Sequence, residues 1–175
     1  MGVSKPVLQV VGYQNSGKTT LMTKLIQAAK CRNWTTASLK HHGHGGRPTL
    51  AEDQKDSGQH RQAGALAAGV EGGGTLQITA EKAEWTLEDI LALYRCLPVD
   101  LLLIEGYKQA EYPKIVLIKE KKDLPLLDQL KNIQAVISWQ RLAGERRDYP
   151  VFLLTEEGMY VDWFIDYVGQ QLKNT

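Results

Sequence analysis

The stretch GYQNSGKTTL, Gly12 to Leu21, satisfies the spacing G-x-x-x-x-G-K-[ST]. That pattern suits one kind of chemistry. Its glycines let a loop close tightly, so that successive backbone N–H groups turn inward onto phosphate oxygens. A helix that starts where the loop ends adds its positive terminus. Gly12, Gln14, Asn15, Ser16, Gly17, Lys18, Thr19 and Thr20 are the expected phosphate-binding residues. Lys18 would reach the β- and γ-phosphates, and the Thr19 hydroxyl would ligate Mg²⁺, a hard cation that takes oxygen ligands. The implied ligand is a nucleoside triphosphate with Mg²⁺.

A loop of this type works with an acidic residue at the end of a second strand. The segment DLLLIEG, Asp100 to Gly106, offers two. In an extended strand they lie ~16 Å apart at 3.3 Å per residue, so only one can serve. Glu105 stands at the carboxyl end, where ligands bind in open α/β sheets. It is therefore the expected partner of Lys18 in catalysis and of Thr19 at the metal. Asp is the usual residue there, and the longer Glu leaves room for a bridging water.

The segment SLKHHGHGG holds Lys40, His41, His42 and His44 directly after an apolar stretch. Three readings are open. A zinc site would use His41 with His44, or His42 with His44. A solvated loop would use none of them. An anion-binding loop would set Lys40, His41 and His44 against phosphates of the nucleotide or of a second substrate. Zinc is disfavoured because no cysteine lies near and glycine-rich loops hold ligands poorly. The last is preferred because it sets a basic cluster on the sheet edge of the glycine-rich loop if the two strands are adjacent. Downstream, Asp56 could meet Mg²⁺, a ribose or a water. Ser57 suits a helix cap, and Arg61 reads as a solvated helix residue in preference to a phosphate partner. No nucleophile–base–acid triad is present. NKxD, a guanine-reading motif, is absent too, although AVISWQR offers Ser138 and Gln140. Local motifs alone do not choose GTP over ATP.

These residues need a frame. Val7 to Val11 is an apolar run, interrupted only by Gln9, of the kind buried on both faces of a parallel sheet. From Lys18, apolar residues recur with helical spacing to about Cys31. Thr35 to Lys40, Val99 to Gly106, Lys114 to Lys119, Ala135 to Trp139 and Val151 to Thr155 are further strand candidates. His41 to Gly58 reads as a long polar loop, Gln59 to Ala68 as a short helix, and Ala65 to Glu81 as a hairpin with a glycine-rich turn. Thr86 caps a helix to Tyr94, with Asp89 completing a capping box. Tyr160, Trp163, Phe164, Tyr167, Val168 and Leu172 form one face of a last helix and read as core.

The expected fold class is α/β, a P-loop NTPase-type three-layer fold. A mostly parallel sheet carries helices on both faces, with a β-hairpin extension. Residues 1–175 read as one nucleotide-binding domain. The 175 residues are 43% hydrophobic and 23% charged, with net charge +1. That balance argues against nucleic-acid and membrane partners. The opening residues MGVSKPVLQVVG do not read as a secretory signal, and no apolar run reaches bilayer length. Cys31 and Cys96, far apart and outside any CxxC, read as free thiols of a cytoplasmic protein.

Taken together and in order, GYQNSGKTTL, LKHHGHG, KDSGQHRQAGA, LLLIEGYK and PKIVLIK resemble the molybdopterin-guanine dinucleotide biosynthesis protein B (MobB) family, from Val7 to about Lys119. The resemblance implies a homodimer that binds GTP and Mg²⁺ with weak hydrolysis at most. It further implies an accessory role beside a molybdenum cofactor guanylyltransferase, which joins GMP to molybdopterin, with phosphate or the pterin as the group its basic loop would meet. Gly12, Ser16, Gly17, Lys18 and Thr19 match the family's phosphate loop, and Glu105-Gly106 its second strand end. Lys40, His41 and His44 match its basic loop. Trp139 stands where members often carry an acidic residue. Two alternatives remain. A small-molecule kinase would need a mobile arginine lid, for which only Arg47 and Arg61 offer themselves. A GTP-dependent metallochaperone would hand a metal over from the histidines.

Overall fold

The apolar runs pair side by side. In a computed structural model, which describes residues 5–43, 56–142 and 147–174, the chain divides into two compact units. One comprises Met1–Gly43 with Cys96–Thr175, the other His44–Arg95.

In the first unit, strands β1 (Val7–Gly12), β2 (Thr36–Lys40), β5 (Leu101–Glu105), β6 (Lys114–Ile118), β7 (Ile133–Ser138) and β8 (Val151–Leu153) form a six-stranded sheet ordered β2-β5-β1-β6-β7-β8. Every pairing in it is parallel. All residues of β5 and β6 are buried, which explains why neither run alternates with polar residues. Helix α1 (Lys18–Cys31) and helix α5 (Glu157–Lys173) cover one face. Leu21, Leu25 and Ala29 of α1 meet Tyr160, Phe164 and Val168 of α5 over Leu8, Val10 and Leu103. Each fully buried Leu, Val or Phe side chain among them contributes about 1.5–3 kcal/mol. The aromatic stripe of α5 is core, as expected, with Trp163 stacked on Tyr167 at 5.2 Å. The opposite face packs Val11, Val116 and Val136 against the short helix α4 (Leu126–Gln129). The sequence reading missed α4, because four residues carry too little periodicity to declare a helix.

The strand order reverses at β1, which lies between β5 and β6. A crevice at such a switch point, beyond the carboxyl ends of the strands, is where open α/β sheets bind ligands. Register brings Val10 and Lys40 level with Glu105. The glycine-rich loop, the acid and the basic segment therefore all leave the same edge of the sheet.

In the second unit, β3 (Ala67–Gly72) and β4 (Thr75–Ala80) pair antiparallel through Gly73 and Gly74. Both glycines have positive φ, +59° and +78°, as a two-residue hairpin turn of this hand requires. Helix α2 spans Asp56–Gln62, which corrects three expectations. The loop reading of 56–58 and the helix reading of 63–68 both fall. Ser57 lies inside the helix rather than at its cap. The helix stops because the Gly64 N–H donates to the Arg61 carbonyl and the Ala65 N–H to that of His60. That closure needs the left-handed φ of +109° at Gly64. Helix α3 (Leu87–Tyr94) starts in the expected capping box, Thr86 and Asp89 each bonding the other's backbone N–H. The Lys82 ammonium, and then the Thr86 donors, lower the Asp89 carboxyl to about 2. No helix among the described residues is long and apolar enough to cross a membrane.

Candidate functional site

Strand β1 ends at Gly12, and the chain passes through Tyr13–Gly17 into α1. A Cβ at Gly12 would stand 2.8 Å from Ser16 Oγ and 2.9 Å from the Leu117 carbonyl oxygen, closer than real Cβ atoms come. Only glycine lets the loop fold back this tightly. Asn15 and Gly17 take left-handed φ of 57° and 97°. Helix α1 begins with no side-chain cap and no acidic residue in its first turn. The first-turn N–H groups of any helix lack intrahelical acceptors, and here nothing on α1 offsets their partial positive charge. Ser16 Oγ is buried without a hydrogen-bond partner among the described residues. An uncompensated helix start, a glycine-tight cradle and an orphaned buried hydroxyl fit a phosphate-bearing ligand.

Lys18 Nζ donates to the Tyr13 carbonyl at 2.7 Å and so spans the loop from below. Burial lowers its pKa, Glu105 pulls it up, and the nearby Lys108 and Lys40 push it down again. Thr19, one residue on, turns its hydroxyl onto the Glu105 carboxylate, with Oγ1 at 3.0 Å from each carboxylate oxygen. The structure thus brings the two expected metal ligands into direct contact, and both are hard oxygens that suit Mg²⁺. Glu105 is buried, and a buried carboxylate needs positive charge beside it. Lys40 Nζ supplies it at 3.2 Å from Oε1 while donating to Thr19 Oγ1 at 3.0 Å. The basic segment does not adjoin β1, since β5 intervenes. Lys40 crosses that one strand to reach the loop. Asp100, the carboxylate set aside in favour of Glu105, caps backbone at the far end by accepting from the Thr35 N–H at 2.7 Å.

His41 follows Lys40 and packs on the turn after β5. Its N–H donates to the Glu105 carbonyl at 2.9 Å. Its ring lies 4.2 Å from that of Tyr107. The imidazole thus has an aromatic neighbour beside the site. His44 lies outside the described residues, as do Arg47, Lys55 and the side chain of Asp56. Arg61, read as a solvated helix residue, instead pairs with Glu81 at 2.9 Å and is mostly covered. Among the described residues no group of three His, Cys, Asp or Glu side chains gathers as a metal cage would.

Several contributors escaped the sequence reading. Gln9, buried in β1, donates to the Gly106 and Tyr107 carbonyls at 3.0 and 2.9 Å and pins the turn that carries Glu105. Trp139 donates its indole N–H to the Ser16 carbonyl at 3.0 Å. That contact ties the loop after β7 to the phosphate loop. Lys119 donates to the Asn15 carbonyl at 3.2 Å and faces the Trp139 ring at 5.1 Å. The buried Asp123 holds Lys119 there by accepting from its backbone N–H. Lys108 sits over the Tyr13 ring at 4.6 Å. A signal existed for Lys119 and Trp139, because each ends or follows a strand at the ligand-binding edge.

A parallel sheet whose reversing strand opens through a glycine-tight loop into an uncapped helix, with the next strand's acid beside that helix, defines a P-loop NTPase-like protein. The family model described as "Molybdopterin guanine dinucleotide synthesis protein B" matches residues 7–139, and the chain belongs to this family, MobB. A Bacillus subtilis relative, named a probable molybdopterin-guanine dinucleotide biosynthesis adapter protein, is 40% identical over 168 residues, 96% of this chain and 94% of that one. An Escherichia coli molybdopterin-guanine dinucleotide biosynthesis adapter protein is 31% identical over 118 residues, 66% of each chain. The crystal structure of a MobB homolog from Bacillus stearothermophilus superposes with a TM-score of 0.77 at 41% identity, covering 94% of this chain and 98% of that one.

Proposed function

We propose that the chain is a GTP-binding adapter in molybdenum cofactor biosynthesis, assisting the attachment of GMP to molybdopterin. The observation that carries the nucleotide reading is the contact of Thr19 with Glu105 beside Lys18 at the open start of α1. Gly12 to Thr20 cradle the phosphates, with Lys18 neutralising their charge. Thr19 and Glu105 are the residues that would hold Mg²⁺, which when bound neutralises phosphate oxygens. Lys40, His41 and His44 serve the phosphates or the pterin, and Asp56 serves the Mg²⁺, a ribose or a water. Residues 1–175 act as a single nucleotide-binding domain of the cytoplasm, a reducing setting that suits cysteines exposed as Cys31 and Cys96 are. The partner is a molybdenum cofactor guanylyltransferase, and turnover of GTP by the chain alone is weak.

Calorimetry of GTP and ATP in the presence of Mg²⁺ tests the ligand. GTP is expected to bind more tightly, and a preference for ATP would overturn the reading. Adding the chain to the guanylyltransferase with GTP and molybdopterin should speed dinucleotide formation, and an unchanged rate would remove the adapter role.

The chain works as a homodimer in this proposal. Val70, Leu76 and Ile78 of the β3-β4 hairpin are exposed, and apolar side chains so placed suit a second copy. Sedimentation equilibrium at micromolar concentration is expected to return twice the chain mass of 19.6 kDa, and a single-chain mass would refute it.

A further inference from the structure

We infer that the Lys40 ammonium competes with a divalent cation for one seat, the oxygen pair formed by the Thr19 hydroxyl and the Glu105 carboxylate. The inference rests on the nucleotide reading above and adds an order of events to it.

Lys40 Nζ touches both donors, at 3.0 Å from Thr19 Oγ1 and 3.2 Å from Glu105 Oε1. Those two donors touch each other at 3.0 Å. The ammonium therefore sits on the oxygens a small cation would use, not merely near them. Its place is set by the fold, because register puts Lys40 directly beside Glu105 on the neighbouring strand. Burial divides the pair unequally: the Glu105 side chain is 9% exposed and that of Lys40 is 60% exposed. The carboxylate is held fast and needs a counter-charge where it stands. The lysine is a compact charge on a flexible stem at the surface, so it can leave.

Two cations cannot share these oxygens. Mg²⁺ takes its ligands at about 2.0–2.1 Å in an octahedron, which leaves no room for an ammonium on the same atoms. Lys40 thus lowers the chain's affinity for bare metal. A metal that arrives with a triphosphate brings further oxygen ligands and negative charge, which draw the ammonium off Glu105. Lys40 is then free to meet phosphate oxygens. The competition makes metal loading depend on nucleotide, and it assigns Lys40 a positioning role beyond general attraction of anions.

Mn²⁺ is a suitable probe, since the free ion is counted by electron paramagnetic resonance. The nucleotide-free full chain is titrated as the natural sequence and as Lys40→Met, Lys40→Gln and Lys108→Met. Lys108 is the control for net charge, because its ammonium lies over Tyr13 and on neither donor. Both Lys40 variants are expected to bind Mn²⁺ about tenfold tighter, and Lys108→Met less than about twofold tighter. Unchanged affinity in the Lys40 variants would overturn the competition. So would equal tightening in Lys108→Met, which would reduce the effect to charge alone. GTP calorimetry on the natural chain, run alongside, separates the two readings. Failure there falls on the nucleotide assignment, while the Mn²⁺ comparison decides the competition either way.

Discussion

Lys18→Ala is expected to weaken GTP binding by at least about a hundredfold while leaving the fold intact. A charged hydrogen bond to phosphate contributes about 1.5–3 kcal/mol, and a lysine bridging two phosphates makes more than one. Each 1.4 kcal/mol is about tenfold in affinity. In the absence of nucleotide the effect on stability has the opposite sign. Burial lowers the Lys18 pKa, so folding holds the charged form at a disadvantage. Where both folded and unfolded chains carry the proton, that disadvantage is fully present. It is relieved as pH rises through the lowered folded value toward the ordinary 10.5. The variant should therefore unfold at the same or slightly higher urea concentration near neutrality, and its advantage should shrink as pH rises from the lowered value to 10.5. Calorimetric binding and urea midpoints on the same samples check both halves. Binding within threefold of the natural chain would remove Lys18 from the phosphate site.

Gly12→Val is expected to abolish nucleotide binding and to destabilise the chain as well. The first side-chain atom alone would stand 2.9 Å from the Leu117 carbonyl oxygen, and Leu117 is the residue paired with Gly12 across β1 and β6. Ser16 Oγ, at 2.8 Å, could rotate aside, but a backbone carbonyl in a buried sheet cannot. Either the strands part or the loop moves outward. Overpacking of this kind costs about 1–3 kcal/mol, and the loop shift misplaces the backbone N–H groups meant for phosphate. A lowered urea midpoint together with loss of GTP binding is the expected pair. Natural stability with natural binding would show that the cradle is looser than its geometry implies. Gly17 differs in kind. A Cβ there would come no closer than 3.8 Å to its nearest neighbour, and it is the left-handed φ of 97° that calls for glycine.

The two variants probe different contributions to one site. Lys18 supplies charge after the loop has formed, whereas Gly12 decides whether the loop forms. Neither would matter without the second strand. Glu105 belongs to β5, far from the loop in sequence, and reaches Thr19 only because β5 pairs with β1. Gln9 and Trp139 act at one further remove, pinning the turn after β5 and the floor of the phosphate loop. Loss of either is a loss of position rather than of charge.

Local spacing encodes much of this protein in the order of its residues. The loop from Gly12 to Thr19 is legible because its backbone shape is set by residues adjacent in the chain. Apolar runs at β1, β5 and β6, interrupted within β1 by Gln9 alone, are legible because strands buried on both faces cannot alternate. The aromatic stripe of α5 and the Thr86 capping box follow the helical repeat. Choosing Glu105 over Asp100 needed only strand direction and length. Whatever depends on neighbours distant in the chain had to wait for the folded molecule. Lys40 meets Thr19 and Glu105 because β2 pairs with β5 in one particular register, which no local pattern states. Arg61 finds Glu81 only once α2 and the hairpin have folded. Helix α2 itself ends where Gly64 turns left-handed, a backbone event that residue types suggest only weakly. The Trp139 contact with Ser16 joins two loops that meet because the sheet sets their strands along one edge. Distance along the chain hides such contacts, and the packing of parallel strands creates them.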